Sequence, residues 1–178
     1  QSESIGDLLH RFVSIELMLQ DLRQAPFLSI AYIDGAAFGA GADIATACTW
    51  RIGTQSAKFR FPGFQFGLAL GTRYLSRIVG MQKARDILLL NQSISAEQAV
   101  NTGLLTELLD ADGFDDAQNR IVEKIERLDT ETINRITTMT LENTNHEDLS
   151  DLVRSITYGN LHGRIQNYLD ANKIVKKA

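Results

Sequence analysis

Residues 30–43 place an apolar strand, a tight turn and a run of small residues directly before the start of a helix. The segment reads IAYIDGAAFGAGAD, and its turn is formed by Asp34 and Gly35. Small side chains allow a ligand to approach the main chain closely. A helix N-terminus carries N–H groups without intrahelical acceptors and a partial positive charge. The combination indicates a site for an anion or for a developing oxyanion.

Three interpretations of this stretch are open. A dinucleotide-binding loop needs glycines in the order G-x-G-x-x-G; Gly39 and Gly41 match the first two, but position 44 is isoleucine. A structural interpretation is that the small residues only let a helix and a strand pack closely. The third interpretation is a site whose main-chain N–H groups stabilise an oxyanion.

Strands alternate with helices up to residue 109, and the sequence beyond has helical periodicity. This order predicts an α/β fold with parallel crossovers, a β/α core over residues 1–110 and a helical region over 111–178 of the same domain. Strands are predicted at 27–33, 49–53, 57–61 and 104–109, with a loop of small residues at 36–41. Helices are predicted at 5–24, at 42–48, at 74–90 with a break at Gly80, and from Ser95, where Ser95 and Gln98 form a capping box. Further helix breaks are expected near Asp129, Asn145 and Gly159.

Composition excludes several classes of function. The chain has 18 basic and 22 acidic residues and a net charge of −4, so no general basic field attracts nucleic acid. Cys48 is the one cysteine and cannot form an internal disulfide, and three scattered histidines have no metal-ligand spacing. No apolar run approaches the roughly 18 residues of a membrane span, and no signal peptide is visible, so a cytoplasmic location is expected.

Residues 33–45, IDGAAFGAGADIA, resemble the signature of the crotonase (enoyl-CoA hydratase/isomerase) family. Further segments follow in the family's order, so that the ordered similarity covers about residues 28–110. They are ACTWRI at 47–52, SAKFRFP at 56–62, YLSRIVG at 74–80 and ISAEQAVNTGL at 94–104.

The resemblance implies a crotonase-like spiral of ββα units with a C-terminal helical trimerisation region. It also implies an acyl-CoA substrate, no cofactor other than the coenzyme A of the substrate, and assembly as a homotrimer or hexamer without nucleic-acid or membrane partners. By motif position, Ala40 would supply one N–H of an oxyanion hole, and the other would come from a segment before Gln1, so the N-terminal part of the core is expected to be missing. The substrate-binding residues implied are Ala36, Phe38, Gly39, Gly41, Pro62, Gly63, Arg73 and Lys173.

The sequence departs from the family pattern at its two carboxylates. Asp43 occupies the position of the first glutamate, one turn after Ala40, and Gly63 occupies the position of the second. The stretch 67–74 is also about three residues shorter than usual. Asp43 is interpreted either as the acid/base, with its pKa lowered by the helix dipole, or as a residue that only neutralises the helix start.

These departures disfavour hydration by two carboxylates. The predicted function is a reaction with one acid/base through an enolate, in fatty acid metabolism: double-bond isomerisation, or a lyase-type or hydrolytic reaction of the same family. The alternative is a non-catalytic accessory member that acts through subunit assembly. The alternative interpretation of Arg73 is a surface or interface residue that binds no ligand. The alternative interpretation of Lys173 is a residue of a solvated chain end.

Overall fold

The computed structural model describes residues 4–110 and 112–175, with side chains described as far as Asn172. The helices are α1 (Ile5–Arg23), α2 (Ala40–Ala47), α3 (Thr72–Val79), α4 (Met81–Leu90), α5 (Ala96–Asn101), α6 (Phe114–Ile125), α7 (Thr130–Thr140), α8 (Asn145–Thr157) and α9 (Leu161–Val175). A 3-10 helix covers Pro62–Phe66. The strands are β1 (Ile30–Ile33), β2 (Ala36–Phe38), β3 (Trp50–Gly53), β4 (Lys58–Arg60), β5 (Ile94–Ser95) and β6 (Glu107–Leu108).

Local sequence signals locate most helix ends correctly. The break at Gly80 separates α3 from α4, and the predicted capping box is formed by Ser95 and Gln98 at the start of α5. A second capping box, which was not predicted, joins Ser4 and Asp7 at the start of α1. A capping box is recognisable in a sequence because its hydrogen bonds join residues three positions apart. The break at Gly80 is recognisable because glycine tolerates the positive φ of +81° found there.

The strands form two three-stranded sheets, and the chain alternates between them except from β4 to β5, which lie in the same sheet. The first sheet has the order β1-β3-β6 and is parallel throughout. The second has the order β2-β4-β5, in which β4 and β5 are antiparallel. The expected spiral of ββα units is therefore present, with parallel pairing in the first sheet and between β2 and β4. The short strand β5, which was not predicted, pairs antiparallel with β4.

The small-residue stretch at 36–41 is not the loop that the sequence predicts. Residues 36–38 form β2, which pairs with β4, and the N–H of Gly39 extends the ladder by donating to the carbonyl oxygen of Arg60 at 2.9 Å. The strand predicted at 104–109 is also shorter than expected, since β6 covers only Glu107–Leu108. At its start, the N–H of Leu105 donates to the carbonyl oxygen of Ala99 and not to a neighbouring strand.

The core lies between the sheets and the helices α2 to α5. It is formed by alanines of α2 and α5 and by larger side chains of the strands, of α3 and α4, and of the turn after α5. Phe59, Leu75 and Leu104 are fully buried in it. Ala42 and Ala45 on α2 are also buried, so α2 approaches the sheet closely. This close packing places the first turn of α2 at the edge of the core.

The C-terminal helices fold back over α1 and the 3-10 helix. Leu152, Ile156 and Leu161 are fully buried and pack in one cluster with Leu8 of α1. The ring of Tyr168 on α9 lies 5.4 Å from that of Phe66. Among residues 4–110 and 112–175, no helix has the length and apolar character that crossing a membrane requires.

Candidate active site

The start of α2 leaves one main-chain donor beside a cavity. Gly39 has φ +56° and ψ −125°, a conformation suited to glycine, and its carbonyl oxygen accepts from the N–H groups of Ala42 and Asp43. Ala40 is the first residue of the helix and has no intrahelical acceptor. Within the described part of the chain its N–H has no hydrogen-bond partner. That donor is available to a group placed in the cavity that Ala40 lines.

The cavity brings five of the predicted site residues together: Gly39, Ala40, Asp43, Pro62 and Gly63. Its volume is about 80 Å³. The remaining wall is apolar and comes from α1, the 3-10 helix and the segments beside it. It includes Phe12, Ile15, Phe61, Phe64, Phe66 and Leu68.

Asp43 is a buried carboxylic acid with a raised pKa. Its residue is 6% exposed, and burial together with the negative charge of Glu16 raises the pKa of Asp43 to about 8, against the opposing effect of Arg23. The expectation that the helix dipole lowers this pKa is therefore wrong. The dipole effect at a helix end is modest, whereas removal of a carboxylate from water strongly disfavours its charged form.

Glu16 on α1 is the charged residue that the sequence analysis missed. It is 1% exposed, and its Oε1 accepts from Gln20 Nε2 at 2.9 Å and from Arg23 Nη2 at 3.2 Å. The guanidinium of Arg23 also lies 4.7 Å from the ring centroid of Tyr74. The sequence did contain a signal for this cluster. Glu16, Gln20 and Arg23 are spaced so that they share one face of α1, and apolar residues lie next to them on the helix. Polar residues in that position are expected to be buried together.

Gly71 brings the main chain against the Asp43 carboxylate. Gly71 precedes α3 and has φ +64°. A β-carbon at position 71 would overlap Oδ1 of Asp43. The short segment before α3 therefore closes one side of Asp43 with backbone, a contact that only glycine permits.

The structure also explains why position 63 carries no side chain. A β-carbon on Gly63 would lie 2.9 Å from the carbonyl oxygen of Leu68, and the N–H of Leu68 donates to the carbonyl oxygen of Gly63 at 2.9 Å. The main chain after the 3-10 helix thus occupies the space that the β-carbon of a glutamate at position 63 would need.

The other predicted site residues lie elsewhere. Ala36, Phe38 and Gly41 are exposed and are not among the residues that line the cavity. Arg73 forms ion pairs with Asp148 at 2.8 Å and Asp151 at 2.6 Å on α8, and these hydrogen bonds raise its pKa. The side chain of Lys173 lies outside the described residues. In the described ranges, no cluster of three or more His, Cys, Asp or Glu is arranged to hold a metal ion.

Known proteins of similar sequence and structure share this fold. A family model for enoyl-CoA hydratase/isomerase matches residues 12–167. A solved structure from Bordetella parapertussis, assigned to the enoyl-CoA hydratases/isomerases, superposes with a TM-score of 0.90 at 35% identity, covering 94% of this chain and 70% of that one.

Two curated relatives align with part of the chain. An enoyl-CoA isomerase/hydratase of Mycosarcoma maydis is 35% identical over 107 residues, which are 58% of this chain and 36% of that protein. A peroxisomal fatty acid beta-oxidation multifunctional protein of Arabidopsis thaliana is 34% identical over 113 residues, which are 61% of this chain and 16% of that protein. The alignments therefore span well under half the length of these relatives.

Proposed function

We propose that this chain, which belongs to the enoyl-CoA hydratase/isomerase family, binds an acyl-CoA thioester and stabilises the enolate that forms from it. The observation that carries the proposal is the Ala40 N–H, which has no acceptor among the described residues and adjoins a cavity containing Asp43. A thioester carbonyl oxygen bound there would receive a hydrogen bond that strengthens as the oxygen becomes negative. One such donor contributes about 3 kcal/mol to lowering a barrier.

Asp43 is the acid/base of the proposed reaction. Its ionised form accepts a proton from the carbon next to the thioester carbonyl, and the electron pair moves towards the oxygen held by Ala40. In an isomerisation the same carboxyl group returns the proton to another carbon of the dienolate. The double bond then moves while no proton is gained or lost, so a single carboxyl group is sufficient.

Isomerisation is favoured over hydration because the second family glutamate is replaced by Gly63. Hydration needs one group to activate water and another to donate a proton, and Asp43 is the only carboxylate among the residues lining this cavity. Hydrolytic or lyase-type reactions through an enolate also require only one acid/base. The proposed order of preference is therefore isomerase first and these reactions second.

A second candidate function is a non-catalytic accessory role in an assembly. It is favoured by the position of Leu68, whose carbonyl oxygen fills the space beside Gly63. Large apolar side chains are exposed on α4 and α7 and would be covered in a homotrimer or hexamer; they include Met81, Leu89, Leu90, Ile136 and Met139. A monomeric mass by light scattering at micromolar concentration would contradict this assembly.

Calorimetric titration with several acyl-CoA and enoyl-CoA thioesters tests the proposal. We expect binding of at least one thioester, turnover by the wild type and loss of turnover in Asp43→Asn with binding retained. The matched control is Asp116→Asn on the exposed start of α6. Binding of no thioester would overturn the proposed function, whereas equal effects of Asp43→Asn and Asp116→Asn would favour the accessory role.

A further inference from the structure

Two cavities of opposite character share Phe64 as a wall. The cavity beside Ala40 has a volume of about 80 Å³. The second has a volume of about 470 Å³ and opens between α1, α3 and α8. Phe64 lines both, so this residue lies at the boundary between them.

The two cavities favour different ligands. Asp43 is the only ionisable residue lining the small cavity, and its raised pKa leaves it largely uncharged at neutral pH. The large cavity is lined by Glu16, Asp148 and Asp151, with Arg73 as the one cation. A hydrocarbon chain should therefore bind more tightly in the small cavity. There it leaves water and buries apolar surface, whereas in the large cavity it would also remove water from charged side chains.

The main chain holds Phe64 firmly in this position. Phe64 lies within the 3-10 helix, which begins at Pro62, and its carbonyl oxygen accepts from the N–H of Gly67 at 3.1 Å. Gly67 then adopts φ +72°, which turns the chain back towards Gly63. Phe64 is 43% exposed, so it is not a core residue.

We infer that Phe64 is the residue that limits the substrate to a short acyl group, by closing the small cavity towards the large one. The inference rests on the proposed function. A cavity of about 150 Å³ accommodates the six carbons of benzene, so one of about half that volume accommodates roughly three or four carbons. An acyl chain of eight carbons would need the space that the ring of Phe64 occupies.

The expected behaviour of the wild type is a preference for short chains. Each methylene that is buried contributes about a fourfold gain in affinity, and each one that remains in water contributes nothing. Affinity should therefore rise up to about four acyl carbons and then stay level or fall. Butyryl-CoA should bind at least as tightly as octanoyl-CoA.

Replacement of the ring by a methyl group tests the inference. In Phe64→Ala the octanoyl-CoA affinity should rise relative to that for butyryl-CoA, so that the ratio of the two dissociation constants changes by tenfold or more. Phe64→Leu should give a change in the same direction of about threefold, and it covers the case in which the alanine variant does not fold. The matched control is Phe27→Ala, since Phe27 is similarly exposed at 58% and lies in neither cavity.

The outcomes separate this inference from the proposed function. If the wild type binds thioesters but prefers octanoyl-CoA to butyryl-CoA, the limit set by Phe64 is wrong and the proposed function stands. The limit set by Phe64 is also wrong if the ratio of the octanoyl-CoA and butyryl-CoA dissociation constants is unchanged in folded Phe64→Ala and Phe64→Leu. If the wild type binds neither thioester, the proposed function fails and the inference fails with it.

Discussion

Gly71 lies so close to Asp43 that a β-carbon at position 71 would overlap the Oδ1 atom of the carboxylate. Asp43 lies on α2 and Gly71 lies in the turn before α3, 28 positions later in the chain. The contact makes a main-chain segment part of the wall around the candidate acid/base. Its consequences for stability and for the pKa of Asp43 can be measured separately.

Gly71→Ala should lower the free energy of unfolding more than a glycine-to-alanine substitution at another position with positive φ. Alanine at φ +64° costs about 1–2 kcal/mol, and the overlap with Asp43 adds about 1–3 kcal/mol. The control is Gly159→Ala, which has φ +71° and no atom within 4 Å of the added β-carbon. Denaturant unfolding measures both variants, and equal losses in free energy of unfolding would contradict the contact.

The buried Asp43 should make the protein less stable as the pH rises. Its pKa is about 8 when folded and near 3.8 when unfolded, so the folded state binds more protons between these values. The stabilisation is fully present below about pH 4 and is lost progressively as the pH rises through about 8. The slope approaches about 1.4 kcal/mol per pH unit.

The measurement is the difference in free energy of unfolding between the wild type and Asp43→Asn across this pH range. The asparagine variant lacks the titrating group, so its own stability should follow only the remaining groups of the protein. A difference that stays constant from pH 4 to pH 8 would show that Asp43 is not the titrating group.

Glu16→Gln should lower the pKa of Asp43. The substitution removes the negative charge that disfavours ionisation of Asp43 and leaves the positive charge of Arg23 uncompensated, so both effects act in the same direction. The midpoint of the pH dependence of kcat/KM should move from near pH 8 to a lower pH. Carbon-13 titration of the Asp43 carboxyl group should show the same displacement without relying on turnover.

Glu16→Gln should also destabilise the fold by about 3 kcal/mol, because it leaves the buried Arg23 guanidinium without its carboxylate partner. Glu131→Gln is the control, because Glu131 belongs to an exposed ion pair with Arg135 on α7. That variant should change neither the midpoint nor, by more than about 0.5 kcal/mol, the stability. An unchanged Asp43 midpoint in folded Glu16→Gln would exclude electrostatic coupling of the two carboxylates.

Gly63→Glu should not introduce two-carboxylate hydration. The added β-carbon would lie 2.9 Å from the carbonyl oxygen of Leu68, so the main chain must shift and stability should fall by about 1–3 kcal/mol. Gly6→Glu is the control, since its added side chain has only an ordinary contact with Ser4 at 3.6 Å. A stable Gly63→Glu variant that hydrates an enoyl-CoA would contradict the account of position 63.

Local signals allowed much of the fold to be predicted. The break at Gly80 and the capping box at Ser95 both depend on residues a few positions apart. The start of α2 was predicted less well, because the helix begins at Ala40 and not at Ala42. The ordered motifs then predicted the ββα arrangement. The cavity contains Ala40, Asp43 and Gly63, whose roles stay predictions.

Only the tertiary structure decided the chemical state of the site. The sequence carries Asp43 at a helix start, where the dipole alone would lower its pKa, yet α1 buries it beside Glu16 and the turn at Gly71 closes it from water. Helix ends and turns follow from hydrogen bonds between neighbours, so the order of residues determines them. Solvent exclusion and the approach of like charges depend on which distant segments meet, and that is settled only when the chain has packed.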